Sequence, residues 1–246
     1  MDALTAPGAT APTTDLCGTT PATTLDAEEL GVRALNARLR ALPAGSTARV
    51  LRPAGLHNLA VALDVAARVV VEGPAGYYAG ALGRQAEVVV RGRVGPGAAE
   101  NLMSGSVRVE GSAGQSLAAS AHGGLVVVTG DASLRAGISL KGGELAVAGD
   151  IGRYGAFLAQ AGTILVGGDA GADLGDSLYE AVIYVAGRIA SLGTDARVEE
   201  LTQADVDAVT ALAARAGFTH VDAENVTRVA SARELYHFTT HHAGSY

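Results

Sequence analysis

Aliphatic residues along this chain come in short, evenly timed pulses. The pentapeptides Val69–Gly73 (VVVEG), Val88–Gly92 (VVVRG), Val107–Gly111 (VRVEG), Val126–Gly130 (VVVTG), Leu145–Gly149 (LAVAG), Ile164–Gly168 (ILVGG) and Ile183–Gly187 (IYVAG) form a series. Their closing glycines are 19 residues apart at every step. Positions four and two before each glycine carry Val, Leu or Ile in all seven pulses. Side chains alternate along a strand, so these two positions share one face. A helical-hairpin repeat needs roughly 30 residues or more, which excludes one here. The pattern predicts an all-β chain, a single-stranded right-handed parallel β-helix of about seven 19-residue coils over residues 48–196. Stacking the coils piles the paired aliphatics into ladders about 4.8 Å apart.

Three other columns repeat with the same period. Three residues after each closing glycine stand Gly76, Gly95, Gly114, Ser133, Gly152 and Gly171, and thirteen after it Ala86, Gly105, Gly124, Gly143, Gly162 and Ala181. Both read as corners of a narrow coil, where positive φ or close backbone approach favours glycine. Nine after it come Leu82, Asn101, Ser120, Ser139, Leu158 and Ser177, whose polar members are positioned to hydrogen-bond from coil to coil. The middle residue of each pulse should face outward, yet it is Val70, Val89, Arg108, Val127, Ala146, Leu165 and Tyr184. An outer stripe this apolar is expected to be covered, first by the chain's own terminal segments and otherwise by a partner.

A solenoid needs caps, because its ends expose unpaired edges and ladder ends. Asp26 with Glu29 reads as a capping-box-like start, and Leu30, Val32, Leu35, Leu39 and Leu42 follow at helical spacing up to Pro43–Gly45. That places an N-terminal capping helix in residues 25–47. Val50–Ala54 lies one period before Val69–Gly73 and reads as an atypical first coil, broken by Arg52 and Pro53. Residues 197–246 read as a C-terminal helical cap and tail. A helix opens at Thr202 and Asp205 and runs to about Ala216, with Val206, Val209, Leu212 and Ala213 on one side. A second short helix is expected between Asn225 and Tyr236. Residues 1–24, rich in Thr, Ala and Pro, read as a disordered extension.

Composition narrows the function. A net charge of −7 and the lack of a basic stripe argue against nucleic acid. The single Cys17 forms no internal disulfide and fits a reducing compartment. No apolar run is long enough to span a membrane, and the N-terminus has no cationic leader, so the expectation is a soluble cytoplasmic protein. The segment Gly167–Asp176 is glycine- and aspartate-rich. No helix pattern follows it, as a dinucleotide fingerprint requires, and its Asp cluster occurs once rather than in every turn, so it reads as a solvated corner. His237, His241 and His242 have metal-compatible spacing but no helical pattern or companion ligands. Tyr77 and Tyr78, the only adjacent aromatics, are expected to pack on a neighbouring coil, with a contact site as the alternative. No catalytic, cofactor-binding or metal-ligating residue is assigned.

Within the coils, Gly76–Gly80 (GYYAG), Gly95–Gly105 (GPGAAENLMSG), Gly137–Gly142 (GISLKG), Gly168–Ala181 (GDAGADLGDSLYEA) and Ser191–Asp195 (SLGTD), with the closing Ser231–Phe238 (SARELYHF), resemble the GXGXG domain of glutamate synthase. That domain is the C-terminal right-handed β-helix of the large subunit. The resemblance covers about residues 48–196 and is closest to the free-standing version, as in N-methylglutamate synthase and related systems. One of the chains of formylmethanofuran dehydrogenase is a more distant relative. The resemblance implies a non-catalytic scaffold whose partners are a glutamine amidotransferase-like subunit and an FMN-binding synthase-like subunit, with FMN and iron–sulfur clusters in those chains. This sequence has no catalytic Cys after Met1 and no cysteine cluster, so no catalytic residue carries over. The alternatives are a stand-alone polysaccharide-active β-helix, which lacks visible carboxylate pairs and aromatic subsites, and a self-assembling module, against which the caps argue.

Overall fold

In the computed structural model, residues 23–232 are described. Each of the seven pulses becomes a strand, and the seven stack in parallel. These are β3 (Arg68–Val71), β4 (Glu87–Val90), β5 (Ser106–Val109), β6 (Leu125–Val128), β7 (Lys141–Val147), β8 (Ala161–Val166) and β9 (Val182–Val185). Their register is the sequence period: Val69 pairs with Val88, Val88 with Val107 and Val107 with Val126. The chain is therefore a parallel β-helix. The residues four and two before each glycine are buried without exception, and they form the strand side of the lumen.

The opposite wall of the lumen is filled by alternation of size. One buried column reads Gly83, Leu102, Ala121, Leu140, Ala159, Leu178, so that each leucine lies over a small residue. Large over small fills a narrow tube at interior density without pushing the coils apart. A second line of bridges links Ala75, Val94, Ala113, Ala132, Ile151, Ala170 and Ile189 along the axis. The two glycine columns do the two jobs expected of corners. Gly105 and Gly124 sit at φ 81° and 78°, whereas a Cβ on Gly114 would stand 2.7 Å from the carbonyl carbon of Gly95.

The third side of each coil has a conformation that the sequence pattern does not announce. Residues at alternate positions adopt left-handed φ, as at Tyr78, Gly80 and Leu82, or Ser116, Ala118 and Ser120. The reason is the ladder. Backbone N–H groups point alternately up and down the stack: Asn101 donates to Ala119 O in one neighbouring coil and Met103 to Gly83 O in the other. Hydrogen bonds to both neighbours offset the strain of positive φ in non-glycine residues. The column from Leu82 to Ser177 belongs to this run. Its members are half-buried or exposed, and their backbone amides, not their side chains, bond from coil to coil. The expected side-chain ladder is thus corrected.

The ends differ from each other. Helix α1 (Ala27–Arg40) closes the lower end with buried Leu35 and Leu39, and Leu42 follows beyond its last turn. Asp26 caps it by accepting from the N–H of Glu28 and Glu29. Glu29 does not complete a capping box; its carboxylate pairs with Arg52 instead. Two strands precede β3. In β1 (Thr23–Asp26) and β2 (Thr47–Leu51), Thr23 and Thr24, placed by sequence in the extension, pair in parallel with Ala48 and Arg49. The first coil is also out of period. Ala48 pairs with Val69 and Val50 with Val71, an offset of 21, so Val50–Ala54 is not in register with Val69–Gly73.

At the upper end, the chain runs through β10 (Ala196–Glu199), helix α2 (Gln203–Ala216) and β11 (Thr227–Ser231). The sheet order is β1 through β9, then β11, then β10, with the last two antiparallel. The helix expected from Asn225 is instead a short 3-10 turn at Ala223–Asn225 followed by β11; residues 233–236 lie outside those described. Helix α2 has the expected bounds, with a Thr202/Asp205 capping box and Gly217 as left-handed C-cap. It does not sit over the end of the column. It lies flat against the outer face of β6–β9, and Val209, Leu212, Ala213 and Ala216 bury Val127, Ala146, Leu165 and Tyr184. The apolar outer stripe is covered there by the chain itself.

Candidate interaction surfaces

The outer face of the sheet divides in two. In its upper half the column next to the stripe reads Thr129, Ala148, Gly167, Ala186, small enough for α2 and its following loop to approach. A Cβ on Gly167 would stand 2.6 Å from the His220 ring, whose Nε2–H donates to Ala148 O at 3.0 Å. In its lower half the same column reads Glu72, Arg91, Glu110. Glu72 pairs with Arg49 at 2.8 Å and with Arg91 at 3.1 Å, while Arg68 pairs with Glu87. Arg108 marks the boundary: its Nη1 donates to Ala216 O, the open carbonyl end of α2, at 2.9 Å.

A polar network fastens the other end of α2. Tyr184 Oη donates to Asp205 Oδ1 at 2.5 Å, Arg228 Nε donates to the same oxygen at 3.0 Å, and Arg228 also pairs with Glu199. Burial alone would raise the Asp205 carboxyl. Hydrogen bonds from Thr202, Tyr184 and Arg228 outweigh it and hold the group well below the ordinary carboxylate range. Burial, then the bond to Asp205, pushes the Tyr184 phenol up to about 12. Every member is engaged with another, and together they fasten α2 to the sheet.

Other charged groups flagged by sequence are likewise engaged. In Gly167–Asp176, Asp169 Oδ1 accepts from the Arg188 N–H and Oδ2 pairs with its guanidinium, both at 2.8 Å. Asp173 pairs with Arg153, and Asp176 accepts from Ser177. Asp131, Asp150 and Asp169 form a column in which Asp131 and Asp150 each accept from the backbone N–H of the next member. Among the described residues no group of three or more His, Cys, Asp or Glu is placed to hold a metal ion, and no helix is long and apolar enough to cross a membrane. His237, His241 and His242 lie outside the described residues.

The third side carries an aromatic cluster. Tyr77 and Tyr78 do lean on the next coil, since a Cβ on Gly95 or Gly97 would collide with their rings. His57 stacks on Tyr77 with centroids 4.5 Å apart, and its Nδ1 accepts from the Tyr77 N–H. Yet Tyr77 and Tyr78 remain 48% and 44% exposed, beside Leu82 at 50%. Packing on a neighbouring coil and presentation to solvent therefore hold together. The left-handed backbone that turns Tyr78 and Leu82 outward has no signal in sequence.

These features define a parallel β-helix protein whose usable surfaces are the flat sides of its coils. Its sequence is 51% identical over 225 residues to Protein GlxC of Rhizobium meliloti (strain 1021), covering 90% of this chain and 99% of that protein. The chain belongs to the GlxC family. No protein-family model matches it, and no solved structure matches it significantly.

Proposed function

We propose that this chain is the non-catalytic β-helix subunit of a multi-subunit, FMN-dependent glutamate synthase-like enzyme of the N-methylglutamate synthase type. In this reading it works in the cytoplasm and holds an amidotransferase-like chain and an FMN-binding synthase-like chain together. One observation carries it: a column of equal, mutually hydrogen-bonded coils whose conspicuous charged groups are spent on ion pairs and caps. Such a column is stiff along its axis and fixes two partners at a set separation. The glutamate synthase-like motifs in the coils and kinship with GlxC along nearly the whole chain support the same reading. One cysteine in 246 residues cannot supply the four thiolates of an iron–sulfur cluster, so any cluster is assigned to the partner chains, and the family resemblance assigns the flavin there too.

Affinity purification of the tagged full chain from its own host tests this. An amidotransferase-like chain and a yellow, FMN-containing chain should co-purify in fixed ratio. Recovery of the chain alone at native expression level overturns the proposal.

A further inference from the structure

The lower cap is joined to the column through one buried amide. Asn36 of α1 and Asp205 are the only buried polar side chains among the described residues. In five successive coils the third side closes a turn with a backbone hydrogen bond between residues three apart. Ala81 N–H donates to Tyr78 O at 3.2 Å, Glu100 to Gly97 O at 3.1 Å and Ala119 to Ser116 O at 3.3 Å, and Ile138 and Phe157 do the same with Arg135 O and Tyr154 O. Asn58 and Val61 hold these places in the first coil, since Asn58 N–H donates to Tyr77 O as Tyr78 N–H does to Pro96 O. There the turn is open. The Asn36 carboxamide stands between the two residues: its Nδ2–H donates to Asn58 O at 2.6 Å, and its Oδ1 accepts from Val61 N–H at 3.3 Å. Arg40 Nη1 donates to Val61 O at 3.3 Å. The helix that carries Asn36 is itself in two parts. Gly31 breaks it at φ 67° and ψ 160°, a conformation nearly closed to other residues. The part before Gly31 is anchored by Arg52, which pairs with Asp26 at 2.6 Å, Glu28 at 3.0 Å and Glu29 at 2.9 Å. The part after it, residues 32–40, carries Leu35, Asn36 and Leu39 inward and is followed by a second left-handed glycine, Gly45 at φ 76°.

We propose that residues 32–40 form a hinged lid on the lower end of the lumen, turning about Gly31 and latched by insertion of Asn36 into the first turn. The first coil is the two-state element. With the lid closed, Asn36 satisfies the Val61 N–H and the Asn58 carbonyl. With it open, these two groups bond to each other as their counterparts do in the coils above. Opening therefore orphans neither of them and costs mainly the packing of Leu35 and Leu39 in the core. The anchored first turn and β1 stay in place. The inference does not depend on the multi-subunit reading.

Substitutions at Asn36 in the full chain separate a latch from ordinary packing. Asn36→Ala lets the turn close. Asn36→Leu fills the space but holds Val61 N–H and Asn58 O apart without partners, and Asn36→Asp sets a carboxylate against the Asn58 carbonyl. The melting temperature should fall least for alanine, more for leucine and most for aspartate, whereas a plain packing site would tolerate leucine better than alanine. Hydrogen exchange reads the two states directly. In Asn36→Ala the amides of residues 35–41 should exchange about tenfold faster, while the Val61 amide stays within about threefold of wild type. Leucine tolerated better than alanine, or a Val61 amide freed together with the helix, overturns the latch. Gly31→Ala tests the hinge and carries the proposal if no Asn36 variant folds. Alanine resists the φ of 67°, so α1 should straighten, draw Asn36 out of the turn and speed exchange in the same helical amides with Val61 still protected. Unchanged exchange of residues 35–41 in Gly31→Ala overturns the hinge.

Discussion

The lower and upper halves of the outer sheet face have the same strands, period and inner ladder, yet they meet their surroundings differently. In β3–β5 the stripe of Val70 and Val89 is flanked by Arg68, Glu87, Glu72 and Arg91, which pair among themselves and stay in water. In β6–β9 the flanking residues shrink to Ala148, Gly167 and Ala186, and a helix lies on the stripe. An identical backbone therefore takes a charged or a covered surface according to two columns of side chains. The inner face admits no such choice, because nothing but aliphatic packing fills the lumen.

That asymmetry sets the scale of the largest expected effect. Val128→Asp places a carboxylate in the fully buried ladder with no partner, at a cost of several kcal/mol. Folded chain should be lost, as judged by soluble yield and circular dichroism. Glu110→Lys, on the exposed lower half, gives up a 3.9 Å contact with Arg91 and should shift stability by no more than about 0.5 kcal/mol. Equal tolerance of the two substitutions would contradict the ladder.

Undocking the helix should convert the upper half into an exposed apolar face while sparing the lower half. Asp205→Ala removes the acceptor shared by Tyr184, Arg228 and Thr202, at a cost of roughly 2–4 kcal/mol. Hydrogen exchange should accelerate across Gln203–Ala216 and leave β3–β5 protected. Uniform acceleration in both halves would mean that α2 and the lower coils unfold as one unit.

Alkaline pH tests the same fastening without a mutation. The Tyr184 phenol is raised to about 12, against an unfolded value near 10. Its neutral form is favoured in the fold, so its contribution is complete below pH 10 and is lost as pH rises from about 10 towards 12. Asp205 works in the opposite sense: its contribution is present above the unfolded value near 4 and is lost as pH falls below it. Stability measured between pH 9 and 12 should fall less steeply in Tyr184→Phe than in wild type. Parallel curves would remove Tyr184 from the linkage.

The solenoid is legible in sequence because the lumen repeats one requirement seven times, and a 19-residue period survives any single irregular residue. The two-residue excess in the first coil is hidden because Val50–Ala54 matches Val69–Gly73 at the expected spacing, while the pairing follows Ala48 and Val50. Strand β11 reads as helix from sequence because TRVAS shows almost no alternation outside its context; its partner β9 decides its form. The outer stripe is visible in the sequence, and a terminal segment is the expected cover, as found over β6–β9. Where the cover stops is written in the flanking columns, Glu72–Arg91–Glu110 against Ala148–Gly167–Ala186. The aromatic patch is half legible. Adjacent tyrosines stand out, but the left-handed φ of 60° at both Tyr78 and Leu82 follows from stacking, not from residue preference.

At the boundary itself the expected effect is local and smaller than that at Asp205. Arg108 stands in the stripe where its neighbours are apolar, and it meets the open carbonyl of Ala216. Arg108→Ala should cost about 1 kcal/mol by removing a charged group from a helix C-terminus. The loss should appear as faster exchange in the last turn of α2, with little change in global stability. Arg108→Val removes the same hydrogen bond but adds a branched aliphatic between Val89 and Val127, where neither the ion pairs nor the helix fully takes over. If both variants fray the helix end equally, the hydrogen bond holds it. If valine leaves it intact, packing does, and the covered half of the face is one coil longer than its charges indicate.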